Sequence, residues 1–209
     1  MCKRQPSVIA MLPSVGSGCR QAGGTGSVRT MNTRCQQGFN LLELMAAITV
    51  LGVLLAIGVP SFTQMVRDNR VVADTNELVV ALSVARSEAV RRGLPVAVCA
   101  RTGPTTNVCQ TGTSNNWQNG WLVFTDAAGT VGVVDAGDQI LQRFDPLSTG
   151  VGMLTNSRPF VRFGASGLPP SGAVDTTFTI KHTVCTGNNQ RTVKITATGR
   201  LHTNKGACP

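Results

Sequence analysis

QQGFNLLELMAAITVLGVLLAIGVPSF, residues 36–62, carries a single charged side chain, Glu43. From Phe39 to Val59 there are 21 residues. At about 1.5 Å per residue a helix of that length spans roughly 31 Å, close to the hydrocarbon thickness of a bilayer. The stretch therefore predicts one membrane crossing. Arg34 before it, set against Arg67, Asp68 and Arg70 after it, places the N-terminus in the cytoplasm and the body of the chain outside.

A carboxylate inside a membrane helix costs about 2.5–3.5 kcal/mol on insertion scales, so Glu43 calls for a partner or a task. No basic residue stands near it in the segment. A cut between Gly38 and Phe39 would create an α-amino group four residues before Glu43, one helical turn away. Gly38-Phe39-Asn40-Leu41-Leu42-Glu43 followed by an apolar run resembles the class III signal of type IV pilins and type II secretion pseudopilins. The resemblance implies that a prepilin peptidase cuts after Gly38 and that Phe39 becomes the methylated N-terminus. It also implies that Glu43 neutralises the terminal amine of a neighbouring subunit during assembly. Pro60 falls where the family commonly has a proline, in a helix whose lower part can loosen or kink. Asn40, where the family usually has Thr, departs from the pattern but is also small and polar. Two alternatives stay open: an ordinary secretory signal cut near Ala56-Ile57-Gly58, which an acid in the apolar region disfavours, and an unprocessed single-span anchor.

The resulting division is a leader over 1–38, a transmembrane helix over 39–60, an amphipathic continuation over 61–93 and a β-rich domain over 94–209. A leader of 38 residues is long for the family; a start at Met31 would leave MNTRCQQG, and residues 1–30, rich in Gly and Ser, read as an over-extended start.

After Pro60, apolar or small residues recur at helical spacing through Phe62, Met65, Val66, Val72, Thr75, Leu78, Val79, Leu82, Ala85 and Ala89. Arg91 and Arg92 suit the last turn and Gly93 the position after it. Six β-type runs follow, over 94–101, 121–126, 139–144, 159–163, 176–183 and 191–198, separated by Asn-, Gly- and Pro-rich turns. A long helix followed by antiparallel strands gives an α+β fold. ALSVARSEAVRRGLPVAVCAR, GWLVFTDAAG, FGASGLP and VKITATGRLH together look like the GspH/FimT group of minor pilins and pseudopilins. The implied architecture is pilin-like, with the long helix packed on antiparallel sheet. The implied partners are other pilin or pseudopilin subunits, the prepilin peptidase and an inner-membrane assembly platform, with the β-rich domain periplasmic.

The formal charge is +9, but five cations and no acid precede Gly38, so the remainder carries about +4. From Gln139 onward Arg143, Arg158, Arg162, Lys181, Arg191, Lys194, Arg200 and Lys205 face only Asp145 and Asp175. Such a bias reads either as solvated surface or as a polyanion-binding face. DNA-binding members of the FimT type carry G-R-x-R near the C-terminus; here Gly199-Arg200-Leu201-His202 keeps the first Arg and replaces the second with His. Arg200 is thus the leading candidate for double-stranded DNA, with His202 weaker because histidine carries less charge at pH 7. Lys205, Lys194 and Arg191 are possible additions. A solvated, merely stapled tail is the competing reading.

Seven Cys occur, three of them before Gly38. The remaining Cys99, Cys109, Cys185 and Cys208 include no C-x-x-C pair, so disulfides in an oxidising compartment are favoured over zinc. Of three pairings, Cys99–Cys109 and Cys185–Cys208 close local loops; the latter would hold the tail as a constrained loop. Trp117 and Trp121 flank a turn: base stacking is conceivable, while Trp121 opens an apolar run and reads as core. Asp126-Ala127-Ala128-Gly129-Thr130 lacks the alternating ligands of a calcium loop, and Gly164-Ala165-Ser166-Gly167-Leu168 fails the nucleophile elbow. No catalytic residue, metal or cofactor is expected. A structural tip or priming subunit, a DNA receptor and a secretion pseudopilin without DNA binding are the functions left standing.

Overall fold

A computed structural model describes residues 40–113, 116–156, 159–170 and 175–209. Helix α1 runs Leu41–Arg92 and is followed by β1 Val96–Ala100, β2 Trp121–Thr125, β3 Ile140–Arg143, β4 Val151–Thr155, β5 Phe160–Phe163, β6 Thr176–His182, β7 Gln190–Ile195 and β8 Leu201–Gly206. The chain divides into two units, Met1–Met45 and Ala46–Pro209. Of the first, the description begins at Asn40, whose carbonyl accepts the N–H of Leu44 at 3.1 Å and whose residues 41–45 are exposed helix.

Between Ala46 and Met65 no residue of α1 is buried. Further on, Val71, Asp74, Thr75, Leu78, Ala81, Leu82, Ala85 and Ala89 form a buried stripe at steps of three and four, as an amphipathic helix requires. The helix stops where expected: Gly93 has φ 65°, a conformation that glycine adopts without the Cβ penalty.

The strands make two antiparallel sheets, ordered β3-β2-β1-β5 and β4-β6-β7-β8. One apolar cluster joins the helical stripe to Val96, Val98 and Ala100 of β1, Phe163 of β5, and Phe178, Ile180, Val193 and Ile195 of the second sheet. Ala97, Cys99, Leu122 and Phe124 point to the opposite face of the first sheet and form a smaller cluster with Cys109. Covered on both faces, VAVCA and WLVFT are buried throughout, which is why they read as unbroken apolar runs. The second sheet is half-buried and alternates: in β7, Val193 and Ile195 are inside and Lys194 is outside.

Two strands depart from the sequence expectation. β4 was hidden by the flanking glycines of TGVGMLT, although Val151, Met153 and Thr155 are buried alternately. β8, expected as a loop, is a strand paired along its whole length with β7. Its sequence LHTNKG has only one apolar residue, so neither period nor propensity marks it; cross-strand pairing supplies what the residues do not. The disulfides join Cys99 to Cys109 and Cys185 to Cys208.

Candidate assembly and polyanion-binding sites

Gly38 and Phe39 lie outside the described residues. Glu43 stands in the first turn of α1, the helix end where a negative charge suits the dipole. The amide of Asn40's neighbour Leu42 approaches the Asn40 side-chain oxygen at 3.5 Å, the geometry of a weak N-cap. Pro60 lies inside α1; its ring removes the N–H that would bond the carbonyl of Ala56, and Thr63 Oγ1 donates to the carbonyl of Pro60 at 2.9 Å.

The segments that carried the GspH/FimT resemblance meet in space. Thr196 through Arg200 turn the chain between β7 and β8, with the Gly199 N–H donating to Thr196 O at 2.8 Å and the Thr196 N–H to Arg200 O at 3.0 Å. Gly199 has φ 73°, and a Cβ there would lie 3.0 Å from the carbonyl oxygen of Gly167, so the turn is closed to other residues on two counts. From the helix, Arg86 Nη1 donates to Gly199 O at 2.7 Å. SEA-bearing helix, FGASGLP loop and TGR turn are thus one packed junction. An open groove of about 560 Å³ beside it is lined by Ser83, Arg86, Ser87, Val90, Arg91 and Leu201, with no acid–base pair among them.

Arg200 projects from this turn, exposed, and its guanidinium has no partner among the described residues. The other candidate cations do not gather around it. Lys194 and His202 face each other across β7 and β8 on the outer side of the sheet. Arg191 and Lys205 also face each other, but on the side of Val193, because odd and even positions of a strand point opposite ways. Five residues of strand separate Arg200 from Lys205, roughly 17 Å at the usual rise. Of the tail residues offered as DNA contacts, Lys194 therefore shares a face with His202, while Lys205 belongs to the other. Lys194 is also neutralised, its Nζ 2.7 Å from Asp175 Oδ2, and this partner holds the Asp175 carboxyl below the usual range.

Other expected cations are likewise engaged. Arg162 Nε lies 2.6 Å from Asp126 Oδ2, and its Nη2 donates to Asp126 O at 2.9 Å. Asp126 is buried, and desolvation raises its pKa despite the Gly132 N–H and Arg162 that oppose the rise. Asp135 and Asp138 accept backbone N–H groups of Thr130, Asp135 and Ala127, so these acids hold the 126–138 loop. Among the described residues no His, Cys, Asp or Glu cluster could hold a metal. Arg91 and Arg92 both clasp Glu88, whose carboxyl they hold down to about 2. Trp117 and Trp121 are both buried; Trp117 meets Phe178 edge-on with centroids 4.9 Å apart, and Trp121 stacks on Phe144 at 5.6 Å. Base stacking by either ring is thereby closed off. Sequence reasoning missed Arg86, one Arg among several on the helix, because nothing local marks a side chain whose partner is 113 residues away.

A bare apolar helix end, a helix stripe laid on antiparallel sheet and disulfide-closed strands together define a pilin-like protein. The family described as Type II transport protein GspH matches residues 74–199, and the prokaryotic N-terminal methylation motif matches residues 33–59. The chain belongs to the GspH family, a family of structural subunits and not of enzymes. In fold it is similar to the type IV minor pilin FimU of Pseudomonas aeruginosa, with a TM-score of 0.51 and 20% identity over 68% of this chain and 92% of that one. A second crystal form of FimU aligns with a TM-score of 0.46 and 21% identity, over 62% of this chain and 88% of that one. Comparison with curated proteins gave no sequence match.

Proposed function

We propose that the chain is a low-abundance filament subunit, cut after Gly38, methylated on Phe39, and held by its helix in the bacterial inner membrane with the β-rich head in the periplasm. From there it enters or primes a type IV pilus or a type II secretion pseudopilus, with Glu43 as the assembly carboxylate. The observation that supports this reading is the first half of α1: an apolar helix long enough to cross a membrane, with none of it buried by its own chain. Such a surface is stable only in lipid or against like helices. Mass spectrometry of the mature protein tests the processing step. A methylated Phe39 at the N-terminus is expected, and any other N-terminus removes the prepilin reading.

Contact with DNA is a second reading, and the exposed, unpartnered Arg200 on a rigid turn is what favours it. Against it stand the neutralised Lys194 and the division of Arg191 and Lys205 from His202 between two faces. A structural role among other minor subunits accords better with that division. Duplex DNA titrated into the head, residues 66–209, across a salt series separates the two. A steep salt dependence that flattens in Arg200→Ala would establish a DNA receptor, and no binding at low salt would leave the structural role.

A further inference from the structure

Filament assembly does not account for the charge at the end of the head from which the bare helix emerges. Gln64 Nε2 donates to Thr186 Oγ1 at 3.1 Å and Arg70 Nη1 to Thr149 O at 3.3 Å, so the turns around 149 and 186 flank helix residues 64–70. The Cys185–Cys208 bond and the Cys208 N–H, which donates to Gly187 O at 2.8 Å, bring the end of β8 to the same place. Here and on the adjoining ends of β6 and β7 stand Arg67, Arg70, Lys181, Arg191 and Lys205, with Lys181 on the outer side of the sheet and Arg191 and Lys205 on the side of Val193; the acids beside them are Asp68 and Asp74, the latter within electrostatic reach of Arg70. Unlike Arg91, Arg92, Arg162 and Lys194, none of the five forms an ion pair among the described residues. His182, at the same end, has its pKa lowered by burial first and then by the positive charges of Arg67 and Arg70.

Cations left unpaired at one end repel one another, and a polyanion relieves that repulsion. Position along the helix decides which polyanion. Gln64, which holds the turn at Thr186, and Arg67 follow Val59, the end of the membrane-length apolar run, by five and eight positions, about 8 and 12 Å of helix rise. Phe62 and Met65, 67% and 61% exposed, fill the interval with side chains that suit a membrane interface. A headgroup layer is several Å thick, and the Debye length is about 8 Å at physiological salt, so these cations lie within electrostatic reach of lipid phosphates.

We infer that this basic end of the head binds the anionic phospholipid headgroups of the membrane that anchors the helix, seating the head on the bilayer until the subunit is drawn into a filament. The inference rests on the reading of α1 as a membrane anchor and adds a second, electrostatic contact to it. Each Lys or Arg near an anionic surface strengthens such binding by roughly fivefold, and salt weakens it.

The test places the full-length chain in lipid nanodiscs of phosphatidylcholine, or of equal parts phosphatidylcholine and phosphatidylglycerol, and follows amide hydrogen exchange at 182–187 and 203–208. The expected result is exchange slower by severalfold in the anionic discs, with that protection lost in high salt and lost in Arg67→Gln/Lys181→Gln/Arg191→Gln/Lys205→Gln. An unchanged unfolding midpoint shows that the variant is folded; should it not fold, salt reversal in the unaltered chain still decides. Equal exchange in both discs overturns the inference while leaving the anchor in place. Failure to enter either disc removes the anchor reading and the inference with it. If duplex DNA added to phosphatidylcholine discs protects these segments more than phosphatidylglycerol does, the face is a nucleic-acid surface and the lipid assignment falls.

Discussion

The two halves of α1 differ in what surrounds them more than in what they are made of. Between Ala46 and Met65 every residue is exposed, large apolar ones such as Leu51, Leu54 and Ile57 included; between Val71 and Ala89 smaller residues such as Ala81, Ala85 and Ala89 are fully buried against two sheets. Small side chains let a helix approach a sheet closely, while large ones with no protein partner need another medium. Hydrophobicity alone therefore says little about which half makes the fold. The half that makes it carries the polar residues too: Asp74 accepts Ser148 N–H and Oγ–H at 3.1 and 2.9 Å, and Arg86 caps the β7–β8 turn.

The contrast is broken most forcefully in the core. Leu82→Ala should destabilise the head by about 2–5 kcal/mol, the usual cost of deleting a fully buried leucine, whereas Leu54→Ala, with Leu54 63% exposed, should leave it unchanged. Chemical denaturation followed by tryptophan fluorescence reads both, since Trp117 and Trp121 sit in that core. Equal effects would erase the distinction between the halves.

A smaller effect is expected from Arg86→Ala. The charged donor to Gly199 O is lost, at a cost of about 1.5–3 kcal/mol or less where solvent reaches the half-buried pair. Hydrogen exchange at 196–201 should quicken more than exchange in β1, because only the former turn leans on the guanidinium. Uniform loosening would show that Arg86 supports the core and not the turn.

The smallest effect concerns pH. Burial is the main cause that raises the pKa of Asp74, outweighing the Ser148 hydrogen bonds and Arg70. A carboxyl raised on folding contributes stability that is fully present below its unfolded pKa and is lost as pH rises through the folded one. In Asp74→Asn that contribution is absent. The unfolding midpoint of the unaltered head relative to Asp74→Asn should therefore rise as pH falls from neutral toward the carboxylate range. A fall over that interval would mean that the Ser148 contacts outweigh desolvation.

Much of this was legible in residues 36–62 and in the helical spacing up to Gly93, because a membrane-length apolar run and a 3.6-residue period are local signals. The same holds for β1 and β2, whose burial on both faces leaves uninterrupted apolar runs. β8 was not legible: LHTNKG becomes a strand only because residues 190–195 pair with it. The grouping of the candidate cations failed for the same reason. Parity within β7 separates Arg191 from Lys194 at once, but which of them shares a face with Lys205 depends on the β7–β8 register, and that depends on where Gly199 turns the chain. The buried Asp126 and the half-buried Arg162 pair across 36 residues, a contact no spacing rule connects.

The central claim is that the exposed half of α1 serves lipid first and neighbouring subunits afterwards, with Glu43 deciding the second step. Glu43→Val separates the two. Fractionation of cells carrying this variant, followed by recovery of sheared filaments, should find the protein in the membrane at its usual level and depleted at least severalfold from the filaments. Incorporation equal to that of the unaltered chain would contradict the account, since the carboxylate would then have no part in assembly.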